Sequence, residues 1–286
     1  MHYALLIGLT LGLTLPLTDR HRALAKTWGS RCLFLSVALL GAGLTLRTMG
    51  RNSIEHAHLT AISIGLTFIF GHFLSRLFKI EREQSLLMTA GTAICGGSAI
   101  AAVAPVINAS ALSMAVSMSV VFILNAVAIY LFPPLGQWLQ LTQEEFGLWA
   151  ALAIHDTSSV LAAASLYGEK ALELATVTKL TRSLWIVPIC FVLALFYKSA
   201  QRKKIQVPWV IVVFLAVSTL FTFVPTLAVV RPHTQMLAKI GFAVTLFLIG
   251  LQMNKDNLKQ VGWSPLAFGL SLWIIVSGMS LVLVQL

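Results

Sequence analysis

Apolar stretches of membrane-crossing length recur from one end of the chain to the other, and they constrain its fold more than any other feature. The blocks fall near residues 3–17, 31–49, 59–78, 86–107, 111–132, 147–166, 171–197, 208–230, 235–253 and 262–285. A helix needs about 20 apolar residues to cross a bilayer core, and backbone groups in lipid must be paired within the protein. Membrane barrels are built from strands of only about ten residues. The sequence therefore predicts an all-α polytopic membrane protein with about ten hydrophobic segments, in one transporter domain over residues 1–286.

The charges support this interpretation. Only 10% of the residues are charged and 58% are hydrophobic, whereas soluble domains carry about 25% charged residues. The formal net charge is +10, but the basic residues cluster in short loops, near 20–26, 76–82, 198–204 and 255–259. Lys and Arg in short loops mark the cytoplasmic side of a membrane protein. We therefore expect the lipid bilayer as a partner and no nucleic acid.

Two of the ten blocks carry polar clusters at their centres. Block 86–107 contains Gly91, Thr92 and the run Cys95-Gly-Gly-Ser98, and block 147–166 contains His155-Asp-Thr-Ser-Ser159. Glycine lets a backbone unwind, and interrupted hydrophobic segments at matching positions point to a transporter's binding site. These two blocks are therefore predicted to be broken or re-entrant helices.

The same two blocks superpose without a gap when the chain is shifted by sixty positions. Ala93 falls on Ala153, and Ile94 falls on Ile154. The register continues into the following helices, which indicates an internal repeat between about 86–132 and 146–192. If both blocks enter and return from opposite sides, the repeats are inverted, as in many transporters. Ten simple spans would also satisfy the distribution of basic residues, so that alternative stays open here.

Three charged residues lie far from the ends of the apolar blocks: Asp156, Lys179 and Arg182. A charge near the bilayer centre is costly, so it usually has a partner and a function. In the functional interpretation, Asp156 binds a proton or cation while Lys179 and Arg182 face an anionic substrate. In the structural alternative, the three form a buried ion triad that fixes helix packing.

The other candidate residues for binding a substrate or an ion surround these charges. They are Thr92, Cys95, Gly96, Gly97, Ser98, His155, Thr157 and Ser158. His155 could relay protons, because imidazole titrates near neutral pH, or could simply bond to a neighbouring helix. No basic residue near Cys95 in the sequence would activate its thiol, which favours a packing role for it.

Enzymatic signatures are missing from the sequence. It contains no Walker A motif, no HExxH and no dinucleotide fingerprint, and no GxSxG surrounds Ser98. The histidines show no zinc spacing. We therefore predict no metal, no cofactor and no enzymatic activity. Two alternatives remain open: an ion channel, and an intramembrane enzyme with Ser98 or Cys95 as its nucleophile.

The polar motifs together resemble those of the YeiH-like family of bacterial membrane proteins, often labelled sulfate exporters. The resemblance rests on the runs 91–107, Ala153-Ile-His-Asp-Thr157 and 175–182, and on Phe146-Gly-Leu-Trp149. It covers nearly the whole chain. It implies a multi-pass protein of the bacterial inner membrane, distantly related to the bile-acid/sodium symporter and cation–proton antiporter superfamily. A homodimer is one assembly that we expect for the chain.

This sequence departs from the family pattern in two ways. It begins at the first block, where members usually carry a further hydrophobic segment, and it has Ser158-Ser159 where many members have Ala-Gln. Taken together, the residues and the resemblance predict a secondary active transporter that works by alternating access. The expected substrate is a small anion, such as sulfate or an organic sulfonate, and transport is coupled to a proton or a sodium ion.

Overall fold

The computed structural model describes residues 2–15, 18–43, 57–197, 209–251 and 262–285. Within these ranges the chain forms thirteen α-helices: α1 His2–Thr14, α2 Asp19–Leu40, α3 Ala57–Leu77, α4 Arg82–Ala93, α5 Gly97–Val103, α6 Ala111–Trp138, α7 Gln143–Ala153, α8 Thr157–Tyr167, α9 Glu169–Ser183, α10 Ile186–Phe196, α11 Trp209–Phe223, α12 Arg231–Leu251 and α13 Trp263–Gln285. The predicted basic loops at 198–204 and 255–259 lie outside the described residues.

Four helical stretches in the described part of the chain are long and apolar enough to cross a membrane. They are Ala57–Leu77, Leu112–Trp138, Glu169–Phe196 and Trp263–Gln285. The chain is thus an α-helical protein with the helices that a membrane protein needs. The larger number of about ten membrane segments, and the single domain over residues 1–286, stay predictions.

The helices group into two compact units. The first contains α1, α2, α11 and α12. In it, α12 packs along α2 and α1, and a short 3₁₀ turn, Gly41–Gly43, follows α2. A Cβ atom at Gly41 would lie 2.6 Å from the Phe214 carbonyl oxygen, so glycine permits close approach of the two backbones there.

The second unit contains α3 to α10 and α13, and with them all four membrane-length stretches. An aromatic stack joins three of its helices: the Phe132 ring lies 4.3 Å from the Trp149 ring and 5.8 Å from the Trp273 ring, measured between centroids. Stacked aromatic pairs contribute beyond their buried area. This stack holds α6, α7 and α13 together beside both polar blocks.

The prolines at 133 and 134 do not end α6, although the block was expected to stop at residue 132. The helix continues to Trp138, over 28 residues. Each proline lacks an N–H donor, but the last turn is closed by the Leu139 N–H, which donates to the Leu135 carbonyl at 2.9 Å. The helix is therefore about 42 Å long at 1.5 Å per residue, which exceeds a bilayer core.

The first polar block forms a hairpin of two short helices, α4 and α5, whose open end lies at the start of α6. The Ser110 N–H donates to Glu83 Oε2 at 2.9 Å, and this bond holds the pKa of Glu83 below its usual value. Ser110 also caps α6, because its hydroxyl accepts from the Ser113 N–H. The chain therefore returns at Ser110 to the level at which it entered at Glu83.

The second polar block forms a matching hairpin, α7 and α8, at the other end of α6. The Lys170 N–H donates to Gln143 Oε1 at 3.0 Å. Gln143 and Lys170 lie sixty positions after Glu83 and Ser110. The two hairpins thus have the same closing contact and are anchored at opposite ends of one membrane-length helix. The re-entrant interpretation and the alternative of simple spans both stay predictions.

Replacing Gln143 by alanine should loosen the second hairpin, because the Lys170 N–H loses its acceptor. We expect the free energy of unfolding to fall by about 1 kcal/mol, measured as a lower melting temperature of the purified protein in detergent. Glu144→Ala is the matched control, since Glu144 is exposed on the same turn. Equal melting temperatures for the two variants would contradict the closing role of Gln143.

Candidate functional site

Both hairpins turn at their tips through a three-residue break. Helix α4 ends at Ala93 and α5 begins at Gly97, and the segment Ile94–Gly96 lies between them. Helix α7 ends at Ala153 and α8 begins at Thr157, with Ile154–Asp156 between. The two breaks are sixty positions apart, as the shifted sequence register predicts.

The two tips touch each other. Gly96 has φ of +66°, and a Cβ atom there would lie 3.4 Å from the Asp156 N and Cα atoms and from the His155 carbonyl carbon. Only glycine adopts this backbone conformation without strain. Position 96 therefore favours glycine because of its backbone conformation, at a point where the two tips lie within van der Waals distance of each other.

Lys179 closes the end of α7 from the neighbouring helix α9. Its side chain has 0% exposure, and Nζ donates to the Ala151 carbonyl at 3.2 Å and to the Ile154 carbonyl at 2.7 Å. The last carbonyls of a helix lack partners within it and carry partial negative charge. A buried ammonium group satisfies both the hydrogen bonds and the charge.

Arg182 lies one turn further along α9 and bonds to both broken helices. Its Nε donates to the Ala93 carbonyl at 2.7 Å, and Nη2 donates to the Thr92 carbonyl at 3.4 Å. Its Nη1 donates to the carbonyls of Ala151, at 3.1 Å, and Leu152. The side chain is fully buried. One guanidinium group thus joins the C-terminal ends of α4 and α7, which come from the two separate hairpins.

Asp156 does not form the expected ion pair with either cation in the part of the chain that the structure describes. Instead it caps α8: its Oδ2 accepts from the Ser159 N–H at 3.3 Å and from the Ser158 hydroxyl. A carboxylate is favourable at this position, because a helix N-terminus carries partial positive charge. Lys179 and Arg182 donate hydrogen bonds to backbone carbonyls, whereas Asp156 caps the N-terminus of α8. The substrate-binding role of all three stays a prediction.

Unpartnered polar atoms lie beside Asp156. Both ring nitrogens of His155 and Nδ2 of Asn125 are buried, and none has a hydrogen-bond partner among the described residues. Asn125, in the middle of α6, accepts the Asp156 N–H through Oδ1 at 3.3 Å. A buried unpartnered donor or acceptor costs about 1–3 kcal/mol. Such a cost is commonly retained where a functional group is bound.

The remaining predicted site residues differ in how much of each is exposed to solvent. Ser98 is exposed and Gly97 and Thr157 are half-buried, whereas Thr92 and Ser158 are buried. Cys95 is buried in an apolar cluster that also includes Cys190. Near the crossing, Gly97, Ser98 and Thr157 are therefore accessible at the surface of the unit, whereas Cys95 is packed inside it.

Two residues of the site were not assigned by sequence reasoning. Asn125 has no motif around it, and its position within an apolar helix is the only signal that could have selected it. Trp273 donates through Nε1 to the Ala153 carbonyl at 3.1 Å and lies 120 residues away in sequence. No local pattern points to that contact.

Comparison with known proteins gives consistent results over the whole chain. The family model described as conserved hypothetical protein 698 matches residues 1–269. A UPF0324 membrane protein of Bdellovibrio bacteriovorus is 44% identical, over 97% of this chain and 86% of the relative. One from Bacteroides thetaiotaomicron is 41% identical over 95% and 83%, and one from Porphyromonas gingivalis is 42% identical over 99% and 86%. No solved structure matches. The resemblance to the YeiH-like family is confirmed, because this is the same family.

Replacing Gly96 by alanine should destabilise the crossing, because a non-glycine residue is strained at this backbone conformation by about 1–2 kcal/mol. We expect a melting temperature several degrees lower in detergent. Gly278→Ala is the control, since a Cβ atom at Gly278 meets nothing within 4 Å. If the two variants have the same melting temperature, glycine is not required at position 96.

Replacing Arg182 by methionine should leave the C-terminal carbonyls of two helices unpaired inside the protein. We expect a loss of about 3 kcal/mol or more in unfolding free energy, seen as a marked drop in melting temperature or in yield of folded protein. Arg182→Lys should retain part of the stability. Lys170→Met removes an exposed cation from the same helix and should change stability by less than about 0.5 kcal/mol. Stability of Arg182→Met equal to that of Lys170→Met would refute the capping role.

Proposed function

The chain belongs to the conserved hypothetical protein 698 family of membrane proteins, and from that premise we propose that it is a secondary active transporter of a small anion. Its substrate would bind where the two hairpin tips cross. The observation that carries the proposal is the contact between the broken helices at Gly96 and Asp156. Interrupted helices that meet away from the bilayer surface are a common device for binding a solute inside a membrane protein.

The charge at the crossing favours an anion. Lys179 and Arg182 contribute two positive charges and Asp156 contributes one negative charge, so one formal positive charge remains. Two helix C-termini and two helix N-termini meet there, and their partial charges offset one another. In a site shielded from bulk water an uncompensated positive charge attracts anions strongly. Sulfate or an organic sulfonate is the substrate class that the family resemblance adds.

Small polar groups near the crossing suit such a ligand. Ser98 is exposed and Thr157 is half-buried, and in this proposal both hydroxyl groups contact the bound solute. Gly97 lies next to Ser98 without a side chain, and a Cβ atom at this position would lie 3.3 Å from the Phe122 ring. Hydroxyl donors next to a positive field are suited to the oxygen atoms of a sulfate or sulfonate group.

Asp156 is the proposed coupling residue, with Asn125 and His155 beside it. Its carboxylate caps α8 through hydroxyl and N–H donors, and an ionised carboxylate accepts hydrogen bonds only. Protonation, or binding of a sodium ion, would change how firmly it holds the start of α8. Because α8 begins at the crossing, an ion bound at Asp156 can alter the substrate site next to it. Transport in this scheme occurs by alternating access across the inner membrane.

The test is sulfate counterflow in proteoliposomes, with and without a pH or sodium gradient, for the wild type and Asp156→Asn. Asparagine remains a good helix N-cap, so this variant removes the charge and retains the cap. We expect saturable exchange in the wild type that responds to one of the gradients, and loss of that response in Asp156→Asn. Glu144→Gln, which removes an exposed carboxylate elsewhere, should behave as wild type.

The outcomes separate the parts of the proposal. Non-saturating, voltage-driven flux would indicate a channel instead of a transporter. Folded protein with no flux above empty liposomes would refute sulfate as the substrate. A gradient response that survives in Asp156→Asn would refute Asp156 as the coupling residue.

A further inference from the structure

A second feature suited to anions lies in the same unit, at the ends of membrane-length helices and away from the hairpin tips. It is a cleft of about 660 Å³ between the end of α3, the first two turns of α4 and the end of α10. This volume falls in the range of small-molecule sites, about 300–1,000 Å³. None of the residues that meet at the crossing, from Ile94 to Gly97 or from Ile154 to Thr157, lines it.

The cleft is positively charged. Arg76, Lys79 and Arg82 line it, and none of the described lining residues carries a carboxylate. The carboxylate of the nearby Glu83 accepts a hydrogen bond from the Ser110 N–H. The Arg82 guanidinium lies 5.1 Å from the centre of the Tyr197 ring, a cation–π contact that fixes its position at the wall. Three cations therefore converge on one cavity, without an acidic side chain among the described residues of its wall.

Two residues that line the cleft have buried hydroxyl groups without a partner among the described residues. Thr89 lines it and is 2% exposed, and its Oγ1 has no hydrogen-bond partner in the described ranges. The Tyr197 hydroxyl lines the same cavity and is likewise buried without a partner there. Buried hydroxyl groups in native proteins are normally hydrogen-bonded. Both hydroxyl groups are packed behind the wall of the cleft, and Thr89 Oγ1 lies against Gly71 of α3, so the three cations are the polar groups that a ligand in the cleft would meet.

The position of the cleft indicates where its ligand comes from. It lies at the C-terminal ends of the membrane-length stretches Ala57–Leu77 and Glu169–Phe196, where a bilayer has its headgroups. Apolar side chains are exposed at this level: Phe196 lines the cavity and is 78% exposed, and Leu77, which follows the lining residue Arg76 in sequence, is 72% exposed. A soluble anion would make no apolar contact with these side chains, whereas the acyl chains of a lipid can pack against them.

We propose that this cleft binds the phosphate headgroup of an anionic phospholipid, with its acyl chains against these exposed apolar side chains. Arg76, Lys79 and Arg82 would pair with the headgroup charge. Basic pockets between helices at the cytoplasmic surface are known to select anionic lipids. Because Lys and Arg collect in loops on the cytoplasmic side, we expect the ends of α3 and α10 that form the cleft to lie on that side. The site is independent of the proposed transport function.

The experiment measures lipid binding to the delipidated full-length protein in detergent, by native mass spectrometry and by thermal shift. The probes are dioleoyl phosphatidylglycerol, dioleoyl phosphatidylcholine, and inorganic phosphate. We expect phosphatidylglycerol to bind saturably and to raise the melting temperature, and the other two to have much smaller effects. Phosphatidylcholine has the same acyl chains and a phosphate group but no net charge, so it isolates the charge preference.

The variant Arg76→Gln/Lys79→Asn removes two of the three cations. We expect it to bind phosphatidylglycerol at least about tenfold more weakly, since each basic residue near an anionic lipid contributes about 1 kcal/mol. Lys170→Gln, an exposed cation outside the cleft, should bind as wild type. If the double variant does not fold, Lys79→Asn alone serves: Lys79 has φ of +52°, a conformation that asparagine tolerates, and it should also weaken binding.

Three results would overturn the proposal. Equal binding of phosphatidylglycerol and phosphatidylcholine would show that the cleft does not select charge. Equal binding of phosphatidylglycerol by Lys79→Asn and Lys170→Gln would place the lipid elsewhere. Stabilisation by inorganic phosphate as strong as that by the lipid would assign the site to a soluble anion.

Discussion

An interrupted helix inside a membrane protein must find partners for the backbone groups that its break leaves open, and the rest of this structure depends on how that is done. Lys179 and Arg182 donate to the carbonyls at the ends of two broken helices. No water is available in a bilayer core to replace such bonds. The two cations therefore allow helices α4 and α7 to end where they do, and the partial negative charge of the helix ends offsets part of the charge of each cation.

This arrangement explains why the crossing is made of particular residue types. Glycine at position 96 permits a backbone conformation that other residues resist and leaves space for the opposite tip. Asp156 holds the start of α8, and Arg182 connects both hairpins. The hairpins are anchored at opposite ends of α6, by Ser110 to Glu83 and by Lys170 to Gln143. Each contact satisfies a backbone group that the break or the hairpin turn would otherwise leave unpaired.

Much of this could be predicted from the sequence, because the signals are local. The clusters around Gly96 and Asp156 predicted interruptions, and the sixty-residue register predicted that they would match in position. The partners of Lys179 and Arg182 could not be predicted, because a sequence shows where charges are and not which carbonyls they reach. Arg182 bonds to Ala93, which is 89 residues away, and pairing with Asp156 was an equally reasonable expectation. The continuation of α6 through Pro133 and Pro134 could not be predicted either, because proline usually ends or kinks a helix.

The central claim is that each polar block enters and returns on one side, so that the tips of two opposed hairpins meet. Its most direct test is labelling by a membrane-impermeant maleimide in oriented vesicles, after replacing Cys32, Cys95 and Cys190 by alanine. Single cysteines at four exposed positions report the four hairpin ends: Glu81, Asn108, Glu144 and Lys170. The account predicts that Glu81→Cys and Asn108→Cys label from one side, and Glu144→Cys and Lys170→Cys from the other. Labelling of Glu81→Cys and Asn108→Cys from opposite sides would contradict it, because the first block would then cross the membrane.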